Sequence, residues 1–391
     1  MSEQAPGRPI HVLFLLVSQS IGGAEIHAIA LANGLQAARF RVSLAYLKDE
    51  SDGADLPQQL NAGIAVFCPG VRRKFDVAAL RKLLVYCKRE AVDLVVCANP
   101  FPLLYASALR SLYGGPLKIV EILHSTEPFT VHARVQMTVL RPLFRMTDLL
   151  VYVCNYQRTF WERNFLSARC SRVIYNGVDL ARFSNNFSEN DIAAFRARFG
   201  FGDKHYLVGV CGYMRPEKAH GDLVAAIAMA RARGTDVKCL LIGDGPMRKS
   251  VELLVRNGGL GEHVAITGLL GDVRLAVAAC DVIAVPSRNE TFSMAALESM
   301  ALGKPVIMSD VGGAAEMVGS DANGYLYPKG DIAALSQRIE LLADGARRAA
   351  LGRQAWETVA TRFSAATMVA MYAQVLSGLV AEGKVASHVL S

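Results

Sequence analysis

Short apolar runs alternate with longer amphipathic stretches through most of the chain. His11-Val12-Leu13-Phe14-Leu15-Leu16-Val17 is continuously apolar and reads as a strand buried on both faces. A polar and glycine turn over 18–23 leads into a helix over 24–38, where Ile26, Ile29, Ala30, Asn33 and Leu35 fall near one face. Strands then follow at 42–47, 64–67, 94–97, 118–123 and 149–153, with helices at 76–90, 103–112 and about 132–146. Strand and helix take turns without a hairpin signal, which is the pattern of a doubly wound parallel sheet.

The alternation restarts after Val173-Ile174-Tyr175-Asn176-Gly177-Val178-Asp179. New strands are expected at 207–211, 238–242, 264–266, 282–285 and 305–308, with helices between them. A polar stretch over 176–190 has the composition of a linker. The α/β reading is thus two Rossmann-like domains, 1–175 and 176–363. The last helix, about 365–379, is amphipathic and is expected to return, within 364–391, to the first domain.

Composition narrows the class. A chain of 391 residues exceeds one ordinary core, and 52% hydrophobic residues suffice for buried sheets. The formal charge of +7 suits an anionic partner without choosing one. Eight cysteines are scattered singly, the pattern of buried free thiols in a reducing compartment. No apolar run reaches a spanning length, so a cytoplasmic protein is expected.

The strand ends carry the chemistry. Neither domain's first strand is followed by G-x-G-x-x-G, and no P-loop is present, which disfavours a nicotinamide dehydrogenase and an ordinary NTPase. The first turn instead holds Gly22-Gly23, where backbone can approach a ligand closely with unusual dihedrals. The second domain's first turn holds Arg215 and Lys218, a flat fork and a point charge suited to phosphate oxygens. Gly243-Asp244-Gly245 is a further strand-end turn, structural or ligand-facing; Gly268-Leu269 could offer backbone groups to a base; Gly312-Gly313 with Glu316 is another such turn. His124 ends the 118–123 strand. Between the 282–285 strand and the helix formers from Met294 onward lies Pro286-Ser287-Arg288-Asn289-Glu290-Thr291-Phe292-Ser293, so Glu290 and Glu298 straddle a strand-to-helix turn. Free N–H groups at that helix start suit a phosphate. There is no D-x-D to carry a divalent ion, and cations with a helix start could stabilise a departing diphosphate.

With these residues in order along nearly its whole length, the chain resembles the family 4 (GT4) retaining glycosyltransferases of the GT-B fold. The most specific element is E-x7-E, Glu290 to Glu298. It is joined by Gly22-Gly23-Ala24-Glu25, Asn176-Gly177-Val178-Asp179 with Phe183, Arg215 to Lys218, Gly243-Asp244-Gly245, Gly312-Gly313 with Glu316, Gly324 and Arg362-Phe363-Ser364. Ala219 stands where the family often has glycine or asparagine, and Ala315 where proline is common. The resemblance implies an acceptor-binding first domain and a donor-binding second domain facing a cleft. It implies that Arg215 and Lys218 hold the donor diphosphate, that Glu298 reads the ribose hydroxyls and that Glu290 reads the transferred sugar. Gly22, Gly23, Gly243, Gly268, Leu269, Phe292 and Ser293 would line the donor, and His124 the sugar near its anomeric carbon. No metal or resident cofactor is implied.

The expected activity is transfer of a sugar, UDP-linked by preference, to a glycan or lipid-linked acceptor. A GDP-mannose-dependent mannosyltransferase is the alternative, and a GT-B sugar-nucleotide epimerase a further one. A nucleic-acid partner is not expected. Arg72-Arg73-Lys74 and the helix over 76–90, with an apolar stripe of Val77, Leu80, Leu84 and Cys87 beside Arg81, Lys82, Lys88 and Arg89, suit an anionic membrane surface, here the inner face. The helix over 132–146, with Arg134, Arg141 and Arg145, is a second such stretch. The competing reading is that both apolar faces pack on the sheet.

Overall fold

The computed structural model describes residues 8–19, 22–49, 59–73, 75–126 and 131–381, apart from the side chains of 131–134. Ser20, Ile21, Lys74, Glu127 and the side chain of Arg134, together with both chain ends, therefore lie outside the described residues. The chain divides into two compact units, Met1–Gly177 with Ala365–Ser391, and Val178–Ser364.

Unit 1 runs β1 (His11–Leu16), α1 (Gly23–Ala37), β2 (Arg41–Tyr46), β3 (Ala65–Phe67), α2 (Val77–Arg89), β4 (Leu94–Ala98), α3 (Pro100–Tyr113), β5 (Lys118–Leu123), α4 (Val131–Phe144), β6 (Leu149–Tyr152), α5 (Asn155–Arg163) and β7 (Ser171–Val173). All seven strands are parallel, in the order β3-β2-β1-β4-β5-β6-β7. Strand order reverses between β1 and β4, which opens a crevice at their carboxyl ends. Buried on both faces, β1 is apolar at nearly every position. Local signals set the helix starts: the Asp76 carboxylate accepts from the N–H groups of Ala78 and Ala79, at 3.0 and 3.1 Å. Pro100 opens α3, where its missing N–H costs nothing.

Unit 2 runs α6 (Glu189–Arg198), β8 (Tyr206–Cys211), α7 (His220–Ala232), β9 (Val237–Ile242), α8 (Arg248–Asn257), β10 (Val264–Ile266), α9 (Arg274–Ala279), β11 (Val282–Val285), α10 (Met294–Ala301), β12 (Val306–Ser309), α11 (Ala314–Met317), β13 (Gly324–Tyr327), α12 (Ile332–Leu341) and α13 (Gly345–Arg362). Its six strands follow the order β10-β9-β8-β11-β12-β13, again parallel, with the reversal between β8 and β11. The polar stretch read as linker ends in a helix: Ser188 caps α6 by a reciprocal bond with Asp191.

The chain returns to unit 1 in α14 (Ala365–Ala381), as expected for the final helix. It packs on α1 where Gly34 leaves no room for a side chain: a Cβ there would sit 2.3 Å from Val369 Cγ2. Tyr372 of α14 is fully buried, its ring 6.0 Å from that of His27 on α1.

The stripe expected to face a membrane is largely spoken for. Leu80 and Cys87 are core residues, and Leu84 packs partly buried against the same core. The large apolar side chains α2 leaves exposed are Val77 and Val85; on α4 Met137 and Phe144 are buried while Val135 and Val139 are exposed.

Candidate active site

In unit 2 the loops after β8 and β11 flank the point where strand order reverses. The β8 loop carries Arg215 and then a 3-10 turn, Pro216–Lys218. The β11 loop carries Glu290 and ends at Ser293, whose hydroxyl accepts from the Ala296 N–H at 3.3 Å and so starts α10. Gly303, at φ 72°, closes it in the left-handed conformation that suits glycine after a helix.

The two loops are tied together. The Arg288 N–H donates to Glu217 O at 2.7 Å, and the Arg288 guanidinium grips the Asp222 carboxylate with bonds of 2.9 to 3.2 Å. Lys218 Nζ donates to Glu290 Oε2 at 2.5 Å, and Ser287 Oγ lies 3.4 Å from the same oxygen. Neighbouring loops press in from either side. A Cβ on Gly312 would meet Glu290 O at 2.0 Å, and the Gly313 N–H donates to Thr291 O at 2.8 Å. A Cβ on Gly243 would meet Gly212 O at 2.3 Å, so this glycine is required by backbone packing against the β8 loop. Asp244 is held by Arg248, its carboxylate 2.7 Å from Nη1. Gly268 pairs with Gly243 in a short bridge, and Leu269 beside it is 75% exposed.

The charged groups differ in their freedom. Arg215 is exposed, its guanidinium over the Tyr213 ring at 5.0 Å, with no ion pair to any described residue. Lys218 is neutralised by Glu290. Glu298, on α10, is pushed up to about 7 by burial, with Arg182 opposing. Burial raises the Cys211 thiol to about 12, with Glu298 adding to the rise and Lys218 opposing it, so the end of β8 feels both groups. His220, the first residue of α7, is lowered to about 4 by burial and then by Lys218. Phe292 is buried, its ring edge-on to Phe363 at 5.5 Å.

Arg215, Lys218, Gly243, Gly268, Leu269, Glu290, Phe292, Ser293 and Glu298 thus all lie in unit 2, on the strand-end loops and on α10. Sequence reasoning gave no role to Tyr213, Asp222, Arg182 or the Arg288 guanidinium. No local signal marks them, since Arg288 and Asp222 stand 66 residues apart and meet only through the strand order.

Gly22, Gly23 and His124 belong to unit 1. The unusual dihedrals expected of Gly22-Gly23 are absent: Gly22 is extended at φ −140°, and Gly23 begins α1. The space at Gly22 is filled by the chain itself, since a Cβ there would lie 2.5 Å from Glu25 Oε2. Gly23 has nothing within 4 Å of its missing Cβ. His124 follows β5 and meets His27 edge-on, ring centroids 4.9 Å apart. Burial holds both imidazoles neutral, His27 down to about 4 and His124 well below the usual range. Both nitrogens of His27 and Nε2 of His124 are buried without a hydrogen-bond partner. Among the described residues no three His, Cys, Asp or Glu side chains converge as a metal site.

Residues 191–358 match the model of glycosyl transferases group 1, and residues 21–182 that of glycosyltransferase family 4. Between them the two models take in most of the chain. The chain belongs to the family 4 glycosyltransferases. Its relatives include the N-acetyl-alpha-D-glucosaminyl L-malate synthase of Bacillus anthracis, 25% identical over 76% of this chain and 78% of that one. Another is the GDP-mannose-dependent alpha-(1-6)-phosphatidylinositol monomannoside mannosyltransferase of Mycolicibacterium smegmatis, 28% identical over 72% of this chain and 75% of that one. Among solved structures, Anabaena HepE in complex with UDP and glucose superposes with a TM-score of 0.82 at 25% identity, over 95% of this chain and all of that one. The two parallel-sheet units of this glycosyltransferase are those of the GT-B fold, and the chain is a transferase. The epimerase alternative is set aside with that assignment.

Proposed function

We propose that this glycosyltransferase transfers a sugar from a UDP-sugar, with retention of anomeric configuration, to a hydroxyl of a glycan or lipid-linked acceptor. The observation that carries the reading is the pairing at the β8–β11 reversal in unit 2: one cation, Arg215, without a carboxylate partner, and one, Lys218, held by Glu290. A donor diphosphate would take Arg215 directly and compete with Glu290 for Lys218. Glu290, so released, would accept from hydroxyls of the transferred sugar. Glu298 would read the ribose, its carboxylate ionising once ribose hydroxyls donate to it.

The acceptor hydroxyl attacks the anomeric carbon on the face from which the diphosphate leaves. The bond from that carbon to the phosphate oxygen breaks, the bond to the acceptor oxygen forms, and the hydroxyl proton passes to the departing phosphate. Two side-chain cations carry the charge developing on the diphosphate, in a role open to a metal in other transferases. Activity is accordingly expected to survive EDTA.

The names of the mycobacterial relatives favour GDP-mannose as a second reading. A thermal-shift panel of UDP- and GDP-sugars separates the two, since a ligand that binds the native state raises the melting temperature. A rise with GDP-mannose alone selects the second reading, and no rise with any donor refutes both.

For a lipid-linked acceptor, an anionic surface would meet the exposed parts of α2 and α4. Val77 and Val85 stand among Arg81, Lys88 and Arg89, and Val135 and Val139 lead toward Arg145. Flotation with anionic vesicles at low salt tests this, and absence of binding rejects it. No described helix is long and apolar enough to cross a membrane.

A further inference from the structure

The β8 and β11 loops of unit 2 are each secured on their outer sides by backbone. Behind the β8 loop the Met214 N–H donates to Asp244 O at 2.8 Å, and a Cβ on Gly245 would meet Met214 N at 2.7 Å. Behind the β11 loop the Gly313 N–H holds Thr291 O, and Gly312 lies against Glu290 O. Contacts of another kind cross from one loop to the other. Lys218 meets Glu290; the chain then steps forward to Asp222 while the partner steps back to Arg288. The Arg288 N–H adds its bond to Glu217 O.

The two ion pairs have different prospects when the site fills. A donor diphosphate competes for Lys218, so the Lys218–Glu290 pair is the one that opens. The Arg288–Asp222 pair stands outside that exchange. Arg288 Nη2 donates to both Asp222 oxygens, at 2.9 and 3.1 Å, and Nε donates to Oδ2 at 3.2 Å. A planar guanidinium spread over both oxygens fixes angle as well as distance. The Asp222 side chain is 13% exposed and sits in the first turn of α7, where the helix dipole favours a negative charge. The Arg288 side chain is 56% exposed, and an ion pair so open to solvent adds little to global stability. Its effect is on where the loops stand.

We infer that Arg288 and Asp222 are a positioning pair, which keeps the β8 and β11 loops in register while the donor diphosphate takes Lys218 from Glu290. Neither side chain touches the donor. The inference rests on the proposed exchange of partners at Lys218.

Two measurements on the full chain test it. In the first, amide hydrogen exchange is read by mass spectrometry over 212–222 and 286–293 without ligand. Glu290→Gln removes the inner ion pair and is expected to leave both segments as protected as in the parent. Adding Asp222→Ala is expected to speed exchange in both segments about tenfold, by local opening. A doubly substituted chain protected like the parent overturns the inference. So does a Glu290→Gln chain that already exchanges as fast as the doubly substituted one.

In the second, UDP and GDP are titrated by calorimetry. The nucleotide that the parent binds is expected to bind about tenfold more weakly to Arg288→Ala and to Asp222→Ala, the scale of one charge-assisted contact. The chain carrying both substitutions should bind no more weakly than either alone, because the two side chains act as one unit. Arg288→Lys keeps the charge without the fork and falls between. Parental affinity in Asp222→Ala with lost affinity in Arg288→Ala shows that Arg288 touches the nucleotide itself, and overturns the inference. Parental affinity in both with a lowered melting temperature shows a merely structural pair, and also overturns it. Failure of both nucleotides to bind the parent counts against the proposed donor chemistry, and the exchange measurement still decides the positioning pair.

Discussion

The two units share a topology and differ at the carboxyl ends of their strands. In unit 2 that end is laced by charge and by close backbone contacts: Lys218 to Glu290, Arg288 to Asp222, Gly312 against Glu290, Gly243 against Gly212. In unit 1 the corresponding end holds His27 edge-on to His124, with buried nitrogens that have no partner, and the Glu25 carboxylate over Gly22. A laced socket suits a ligand whose diphosphate is the same for every donor. One sheet plan thus supports different strand-end solutions, because the loops beyond the strands are free to differ while the strands are not.

Four experiments break or sharpen that contrast. The largest effect is expected from Lys218→Ala. It removes a charge-assisted contact and leaves Glu290 without its partner, so turnover in a transfer assay should fall on the order of 100-fold. Parental turnover would remove Lys218 from the mechanism. Next, Gly34→Ala should destabilise unit 1 by about 2 kcal/mol in chemical denaturation, because its methyl collides with Val369. Val369→Ala in the same chain should recover part of the loss, and the stability of unit 2 should not change.

A smaller effect concerns pH. Glu121 in β5 is fully buried, neither carboxylate oxygen has a partner, and burial raises it well above the usual carboxylate range. The folded chain keeps this proton while the unfolded chain loses it near pH 4.3. Its contribution is therefore complete below that pH and declines as pH rises toward the folded value. Glu121→Gln should lack this decline, so its melting temperature should gain on the parent as pH increases from 4 to 7. Parallel curves would show that the carboxyl finds a partner in solution. The smallest expected effect is a gain. Ala219 adopts φ 49° and ψ 43°, left-handed values, which explains why glycine or asparagine is common at this position in the family. Ala219→Gly should stabilise unit 2 by about 1 kcal/mol in denaturant titration, with Lys218 still in place.

Much of the architecture could be read from the residues alone. Parallel strands covered on both faces are written as unbroken apolar runs, as in His11–Leu16 and Val282–Val285, and helices fill the intervals. The exceptions are short or polar: β7 is three half-buried residues beginning with serine, and α6 begins in a stretch whose composition suggests a linker. The candidate site could be drawn up as a list of strand-end residues, because strand ends are where such folds bind ligands. Its wiring was not. Whether Arg288 finds Asp222, or whether the room at Gly22 serves a ligand or Glu25, depends on which loops the strand order makes neighbours. The apolar stripe of α2 shows the same limit, since periodicity marks an apolar face without saying what covers it, and Leu80 and Cys87 belong to the core.

The placement of α14 bears on how the molecule is made. Unit 1 leaves the ribosome first, yet the helix that covers His27 and fills the space above Gly34 is translated only after the whole of unit 2. Unit 2 is one uninterrupted segment whose two ends meet in a bridge between Val178 and Ser364, so nothing prevents it from closing while unit 1 still waits for its last element. The domain synthesised first is therefore the one completed last, and a nascent chain stalled before Ala365 would hold a finished unit 2 and a unit 1 whose α1 still has an apolar face open to water.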